Sequence, residues 1–277
     1  MNGDMRVERI PLPELPAPVR QAIAARIGWD CRHAEVQNGT SSALATWVWP
    51  TQHGTTDTQM VFLKGLPLDE EGITELRTEI AVAPYLPPTA PRMLWHEEAG
   101  GWLVVCFEGL NASAWTYFGS DSEHLPQVAT VLSDLSGRAA PAVVTRTAWE
   151  KWGIYCDPAD RPVLTGDRLV HADPAATNFM TGRDGRTWLI DWAWAMRGPN
   201  WLDTALWGFR LILDGEQTPE HAARWCARIP AFAAAPRRSL TLLTQAEARW
   251  WEALQAYGTP NVDDKVTAAR EWAAYWA

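Results

Sequence analysis

The stretch Leu169-Val-His171-Ala-Asp173-Pro-Ala-Ala-Thr-Asn178-Phe179, followed by the turn Thr181–Arg186 and the run Thr187-Trp-Leu-Ile-Asp191, decides the reading of this chain. It is neither a good helix nor an ordinary strand. Apolar segments end in polar groups: an asparagine follows Asp173 by five residues, and Asp191 closes an apolar run thirteen residues later. An aspartate and an asparagine on a loop would, alone, be an unremarkable surface feature. A further aspartate after a hydrophobic strand makes a set of hard oxygen donors in fixed order.

That set is what transfer of a phosphoryl group from a nucleotide requires. Asp173 would accept the proton of an acceptor hydroxyl, while Asn178 and Asp191 would hold the magnesium ions that neutralise the phosphates. His171, just ahead of Asp173, is expected to pack and bond to backbone. A hydrolytic metal site built on His171, Asp173 and Asp191 lacks a second His or Cys at ligand spacing.

Working toward the N-terminus, Pro11, Pro13, Pro16 and Pro18 lead into a short helical pattern, Val19–Ile27, closed by Gly28. Glu35–Gln37, Ala43–Trp49 and Gln59–Lys64 read as three antiparallel strands, and Pro91–Leu94 with Trp102–Phe107 as two more. From Asp69 to Pro84 the period becomes helical, with Ile73, Leu76, Ile80 and Ala83 on one face and Glu75 and Glu79 on another. The turn Asn38–Ser42 (Gly39, Thr40, Ser41 and Ser42 after the asparagine) would offer backbone N–H groups to phosphate, and is equally a plain hairpin turn. Lys64, at the end of an apolar strand, would reach the α/β-phosphates; Glu79, in preference to Glu75, would pair with it. Glu108-Gly109 breaks the pattern, dividing the chain into a nucleotide-binding lobe, 1–108, and a catalytic and substrate-binding lobe, 109–277. Beyond it the signals are mostly helical: Thr218-Pro219 starts one helix, Thr244-Gln-Ala-Glu247 reads as a capping box opening another, and a last helix spans about Asp264–Trp276.

In these residues the chain resembles the aminoglycoside phosphotransferase and choline kinase group. The pieces are Gly39-Thr-Ser-Ser-Ala-Leu, Val61-Phe-Leu-Lys64, Arg77-Thr-Glu79, Val105-Cys-Phe-Glu108-Gly109, His171–Asn178, Leu189-Ile-Asp191-Trp, Gly198-Pro199 and Asp203, in family order. The resemblance implies an α+β, two-lobed protein-kinase-like fold: an antiparallel-sheet N-lobe with one helix and a mainly helical C-lobe. It implies ATP, with GTP as the alternative nucleotide, and Mg²⁺. It makes Phe107 and Glu108 a hinge that bonds the adenine through backbone, and Asp203 a buried brace of the catalytic loop; apart from the resemblance, Asp203 reads as an N-cap carboxylate of a helix over Leu202–Leu213, a role compatible with the first. The chain departs from the group at Ala172, where glycine is usual, and at Ala175 and Ala176, where a His or Arg is usual. After Asp191 stands Trp192-Ala193, and Gly198-Pro199 follows too soon for an activation loop, which points to a small-molecule kinase.

Composition narrows the partners. Lys+Arg 24 against Asp+Glu 33 gives a net charge of −9 with no basic stripe, which argues against nucleic acid. No apolar run approaches the ~18 residues of a membrane span. The 4 cysteines have no CxxC pair and no leader precedes them, so a cytoplasmic protein with reduced thiols is expected, and no protein partner is indicated. Of the 18 Trp, Trp188, Trp192, Trp194, Trp201 and Trp207 crowd the segment around Asp191 and the helix after it, and Trp250, Trp251, Trp272 and Trp276 mark the late helices, so many of the rings are expected to support or line the cleft beside the catalytic loop. Asp157, Asp160, Trp192, Trp194, Asp214, Glu216, Trp250 and Trp251 are candidate acceptor-lining groups in the second lobe. Acids with indole faces suit a cationic or sugar-bearing small molecule, so an antibiotic hydroxyl is the preferred acceptor. The alternatives are an amino alcohol, a sugar or a nucleoside, or an inert nucleotide-binding module of the same fold.

Overall fold

Five segments form one antiparallel sheet, β1 (Arg32–Glu35), β2 (Leu44–Trp49), β3 (Val61–Pro67), β4 (Met93–Ala99) and β5 (Trp102–Glu108), in the order β1-β2-β3-β5-β4; β2 and β5 are the ones rich in β-branched and aromatic residues. The computed structural model describes residues 7–28, 31–36, 39, 41–50 and 60–277, and the chain divides into two units, Met1–Asn111 and Ala112–Ala277. Central β3 and β5 are buried along nearly their whole length, as strands covered on both faces must be.

Among the described residues the first unit carries two α-helices. Helix α1 (Ala17–Ile27) precedes the sheet and buries Val19, Ile23 and Ile27 at four-residue spacing; Gly28, at φ +79°, ends it. Helix α2 (Ile73–Val82) is the one inserted within the sheet. Its buried residues are Leu76, Glu79 and Val82, with Ile73 and Ile80 only partly covered. The face that packs is therefore rotated from the one that apolar periodicity predicts. Periodicity counts Glu79 as a solvent residue, whereas Lys64 on β3 compensates its charge inside the unit.

In the second unit β6 (Ala112–Trp115), β8 (Phe179–Gly182) and β9 (Thr187–Leu189) form a small sheet, and β7 (Arg168–Val170) pairs with β10 (Met196–Gly198). These short strands deliver the loops around Asp173 and Asp191. Helices α3 (Leu125–Ser136), α4 (Ala148–Trp152), α5 (Arg161–Leu164), α6 (Leu202–Leu213), α7 (Pro219–Cys226), α8 (Pro230–Ala233), α9 (Arg237–Ala256) and α10 (Asp263–Trp276) make up the rest. Thr218 caps α7 as expected, accepting from the His221 N–H.

The capping box expected at Thr244 and Glu247 is not formed, because α9 already runs from Arg237. Both residues are buried mid-helix: the Thr244 hydroxyl bonds the Thr241 carbonyl at 3.2 Å, and Glu247 accepts from two indoles. The box that does form joins Thr147 and Glu150 at the start of α4.

Much of the tryptophan goes into this packing. Trp152, Trp192, Trp207 and Trp272 are fully buried. Trp272 on α10 lies against α6 where Gly208 leaves room, and its Nε1 donates to the Ala205 carbonyl at 2.9 Å. A Cβ on Gly208 would stand 2.3 Å from the indole. Among the described residues no helix is long and apolar enough to cross a membrane.

Gly208→Ala is therefore expected to lower stability by about 1–3 kcal/mol through overpacking, despite alanine's better helix propensity. Urea unfolding followed by far-UV circular dichroism checks this; an unchanged or raised midpoint would contradict the packing described.

Candidate active site

Helix α6 is buried almost all round, yet Asp203, Arg210 and Asp214, the last at its C-cap, are spaced seven and four residues apart. At 3.6 residues per turn they form one polar stripe. The stripe organises the loop that carries Asp173. One Asp203 oxygen accepts the His171 N–H and the other the Ala172 N–H, each at 2.8 Å. Ala172 sits at φ +70°, a left-handed conformation that costs a non-glycine residue about 1–2 kcal/mol, so the loop keeps a glycine-like shape without glycine. At the far end of the stripe Asp214 accepts the Ala176 N–H at 3.0 Å. Burial pushes the carboxyls of Asp203 and Asp214 up, against these hydrogen bonds and, for Asp214, against Arg210.

Arg210 in the middle grips the loop aspartate itself. Its guanidinium is 2.5 Å from Asp173 Oδ1 and 3.7 Å from Asp214. Burial alone would raise the Asp173 carboxyl, but the surrounding cationic groups, Arg210 foremost with Lys151 among them, together hold it below its ordinary value. Asp173 Oδ2 and its carbonyl both accept from Asn178 Nδ2, at 3.0 and 2.8 Å. With its NH₂ turned to Asp173, the Asn178 amide presents its oxygen on the opposite side, which is the atom able to ligate a hard cation.

Asp191 is tied to the same loop through its neighbour. Ile190 donates to the Asn178 carbonyl at 2.9 Å, and its own carbonyl lies 2.9 Å from His171 Nε2. His171 Nδ1 accepts the Asp173 N–H at 3.3 Å, so the ring proton resides on Nε2 and the histidine is a structural pin. Trp192 meets it edge-on at 4.8 Å. Asp191 takes a left-handed conformation, φ +62°, a strained backbone of the kind that accumulates at functional sites. Among the described residues no cluster of three or more His, Cys, Asp or Glu forms a metal cage. One carboxylate and one amide oxygen fit instead a magnesium ion that completes its shell with water and phosphate.

In the first unit Lys64 Nζ lies 2.8 Å from Glu79 Oε2, both side chains being at most 10% exposed. Gly39 has φ +86°, a left-handed backbone conformation that glycine permits. Ser42 is buried and Ser41 exposed; Thr40 lies outside the described residues. Arg9 donates to the carbonyls of Gly39 and Ser42 and so holds these two residues. Phe107 is buried in β5, and the Glu108 N–H is already bonded to the Arg92 carbonyl at 2.9 Å. Any adenine contact from Glu108 would therefore use its carbonyl.

The residues expected around an acceptor fall into different environments. Trp192 is 1% exposed, its Nε1 bonded to the Leu189 carbonyl; Trp194 is 36% exposed. Asp214 is engaged by Arg210 and the loop backbone. Asp157 caps its own turn through the Ala159 N–H, and Asp160 pairs with Arg238 at 2.7 Å. Glu216 is exposed at φ +51°, and Trp250 and Trp251 are in edge contact at 4.4 Å on α9. Sequence reading missed Arg210, Glu247, Arg9 and Lys151. Arg210 alone had a signal: the seven-and-four spacing of charges on an otherwise apolar helix. Glu247 was misread as a cap, and nothing local marks Arg9 or Lys151.

No protein-family model matches the sequence, and no curated protein is similar to it. Solved structures are. The choline kinase LicA from Streptococcus pneumoniae superposes with a TM-score of 0.60 at 12% identity, over 93% of this chain and 96% of that one. The spectinomycin phosphotransferase APH(9)-Ia, in complex with ADP and spectinomycin, gives 0.57 at 12% identity, over 91% and 92%. An aminoglycoside phosphotransferase from Alicyclobacillus acidocaldarius gives 0.58 at 15% identity, over 96% and 93%. The chain thus has the α+β, protein-kinase-like fold of small-molecule phosphotransferases.

Proposed function

We propose that this protein is an ATP-dependent, Mg²⁺-requiring phosphotransferase that moves the γ-phosphoryl group to a hydroxyl of a small molecule. The observation that carries the reading is the Asp173–Asn178–Asp191 set, held by the α6 stripe and joined through Ile190. Asp173 orients the acceptor hydroxyl and takes its proton; Asn178 and Asp191 hold magnesium, which when bound supplies charge neutralisation on the phosphates. In the first unit Lys64, kept in place by Glu79, would neutralise nucleotide phosphate, with the Gly39–Ser42 turn as a backbone cradle and Phe107 and Glu108 as the adenine hinge.

The acceptor we favour is an antibiotic, in resistance or in self-protection during biosynthesis. A primary metabolite such as an amino alcohol, a sugar or a nucleoside is the second reading, favoured by the likeness to a choline kinase. An inert nucleotide-binding module would have no use for an ionised aspartate held so closely. A cytoplasmic setting fits nucleotide use.

The decisive experiment is a screen for ADP release from ATP over hydroxyl-bearing antibiotics and metabolites, with mass detection of a transferred phosphoryl group. Asp173→Ala is expected to lower turnover by about 10²–10⁴ while nucleotide binding persists; undiminished turnover removes Asp173 as the base. In a thermal melt, wild type should gain about 2.7 kcal/mol from Mg²⁺-nucleotide at ~100 Kd, and Asp191→Ala should lose most of that gain. No shift with any nucleotide would overturn the kinase reading.

Arg210→Gln gives a pH test. Without the guanidinium the strongest offset to the burial of Asp173 is lost and its carboxyl pKa rises, so the acidic limb of the kcat/KM profile should move to higher pH. A limb that stays in place would deny Arg210 its part in keeping Asp173 ionised.

A further inference from the structure

Lys151, on α4, has an environment that none of these roles explains. Its Nζ stands 4.5 Å from the ring centroids of both Trp152 and Trp250 and 5.9 Å from that of Trp194. Three indoles around an ammonium are the arrangement by which proteins hold free or alkylated ammonium ligands. The box is rigid: the buried Glu247 carboxylate accepts from Trp152 Nε1 at 2.5 Å and from Trp251 Nε1 at 2.9 Å, and Trp251 backs Trp250. Trp194 follows Asp191 by three residues, and Asp173 is near enough to act electrostatically on Lys151. The box therefore adjoins the proposed transfer site.

It is already filled, by the chain's own cation. A second cation, Arg146, covers the outer indole, its guanidinium 4.8 Å from the Trp194 centroid. The nearby acids are engaged too: Asp173 by Arg210 and Asn178, Asp214 by Arg210 and the Ala176 N–H, and Glu247 by two neutral indole donors and, through its charge, by Lys151 itself. A ligand ammonium arriving here would meet two cations and no open carboxylate among these three.

We propose that Lys151 is a specificity-determining residue that closes the tryptophan box to ligand ammonium groups, so that the acceptor is a hydroxyl compound with no cationic group beside the reacting oxygen. This rests on the transfer site proposed above and replaces the cationic acceptor that acidic composition suggests.

The direct test is calorimetric titration with tetramethylammonium chloride, which requires no turnover. Wild type and Lys151→Arg are expected to show no saturable binding. Lys151→Ala should bind at least tenfold more tightly than wild type, and Trp250→Ala in the Lys151→Ala background should remove that binding. A folded Lys151→Ala protein that remains closed, or a wild type that binds saturably, overturns the proposal. Should Lys151→Ala fail to fold, wild type alone decides, in ADP release with pairs of acceptors differing only by N-acetylation of an amine next to the hydroxyl. The acetylated member should be turned over at least tenfold better; preference for the free amine overturns the proposal. Absence of ADP release with every acceptor would overturn the phosphotransfer reading and leave the calorimetric result standing.

Discussion

The carboxylate of Asp203, buried at the start of α6 and bonded by two consecutive backbone N–H groups, is the constraint on which the rest of the site depends. A buried carboxylate without donors would be costly, and two buried N–H groups without an acceptor equally so. Each requirement satisfies the other. The joint solution holds His171 and the left-handed Ala172 in place, directs the Asp173 side chain to Arg210 and Asn178, and through the histidine ring fixes Ile190 next to Asp191. Removing this one interaction would orphan both amides and release a strained alanine.

The same logic runs along α6. Most of the helix is apolar and covered, and its charged groups Asp203 and Arg210, with Asp214 at its C-cap, all meet the 171–178 loop. Tryptophan supplies the rigidity beneath. Its large ring fills volume, and in four cases the N–H also ties the ring to a particular acceptor: Trp272 to Ala205, Trp192 to Leu189, Trp152 and Trp251 to Glu247. Most of these rings are therefore structural, and Trp194, 36% exposed, is the one of the group after Asp191 that meets solvent.

The first unit repeats the pattern on a smaller scale. A lysine on a buried strand and a glutamate on a buried helix face would each be unfavourable alone; together at 2.8 Å they hold an ammonium in a defined position. The pairing also explains why the packed face of α2 differs from its apolar stripe. Hydrophobic periodicity assumes that charge seeks water, and it fails where two charges meet inside.

By itself the sequence determined the order of elements, the antiparallel strands with their inserted helix, and the spacing of Asp173, Asn178 and Asp191, because side-chain period, turn residues and short-range spacing are local properties. It also made Lys64 and Glu79 candidates for one another. Only the tertiary structure decided which groups meet which: Arg210 with Asp173, Glu247 with two indole donors and not at a helix start, Lys151 inside a box of tryptophans. Those partners lie 37, 95 and 99 residues apart along the chain, as in Arg210–Asp173, Trp152–Glu247 and Lys151–Trp250. Burial and charge compensation are properties of what folding brings together, and no window of sequence contains them.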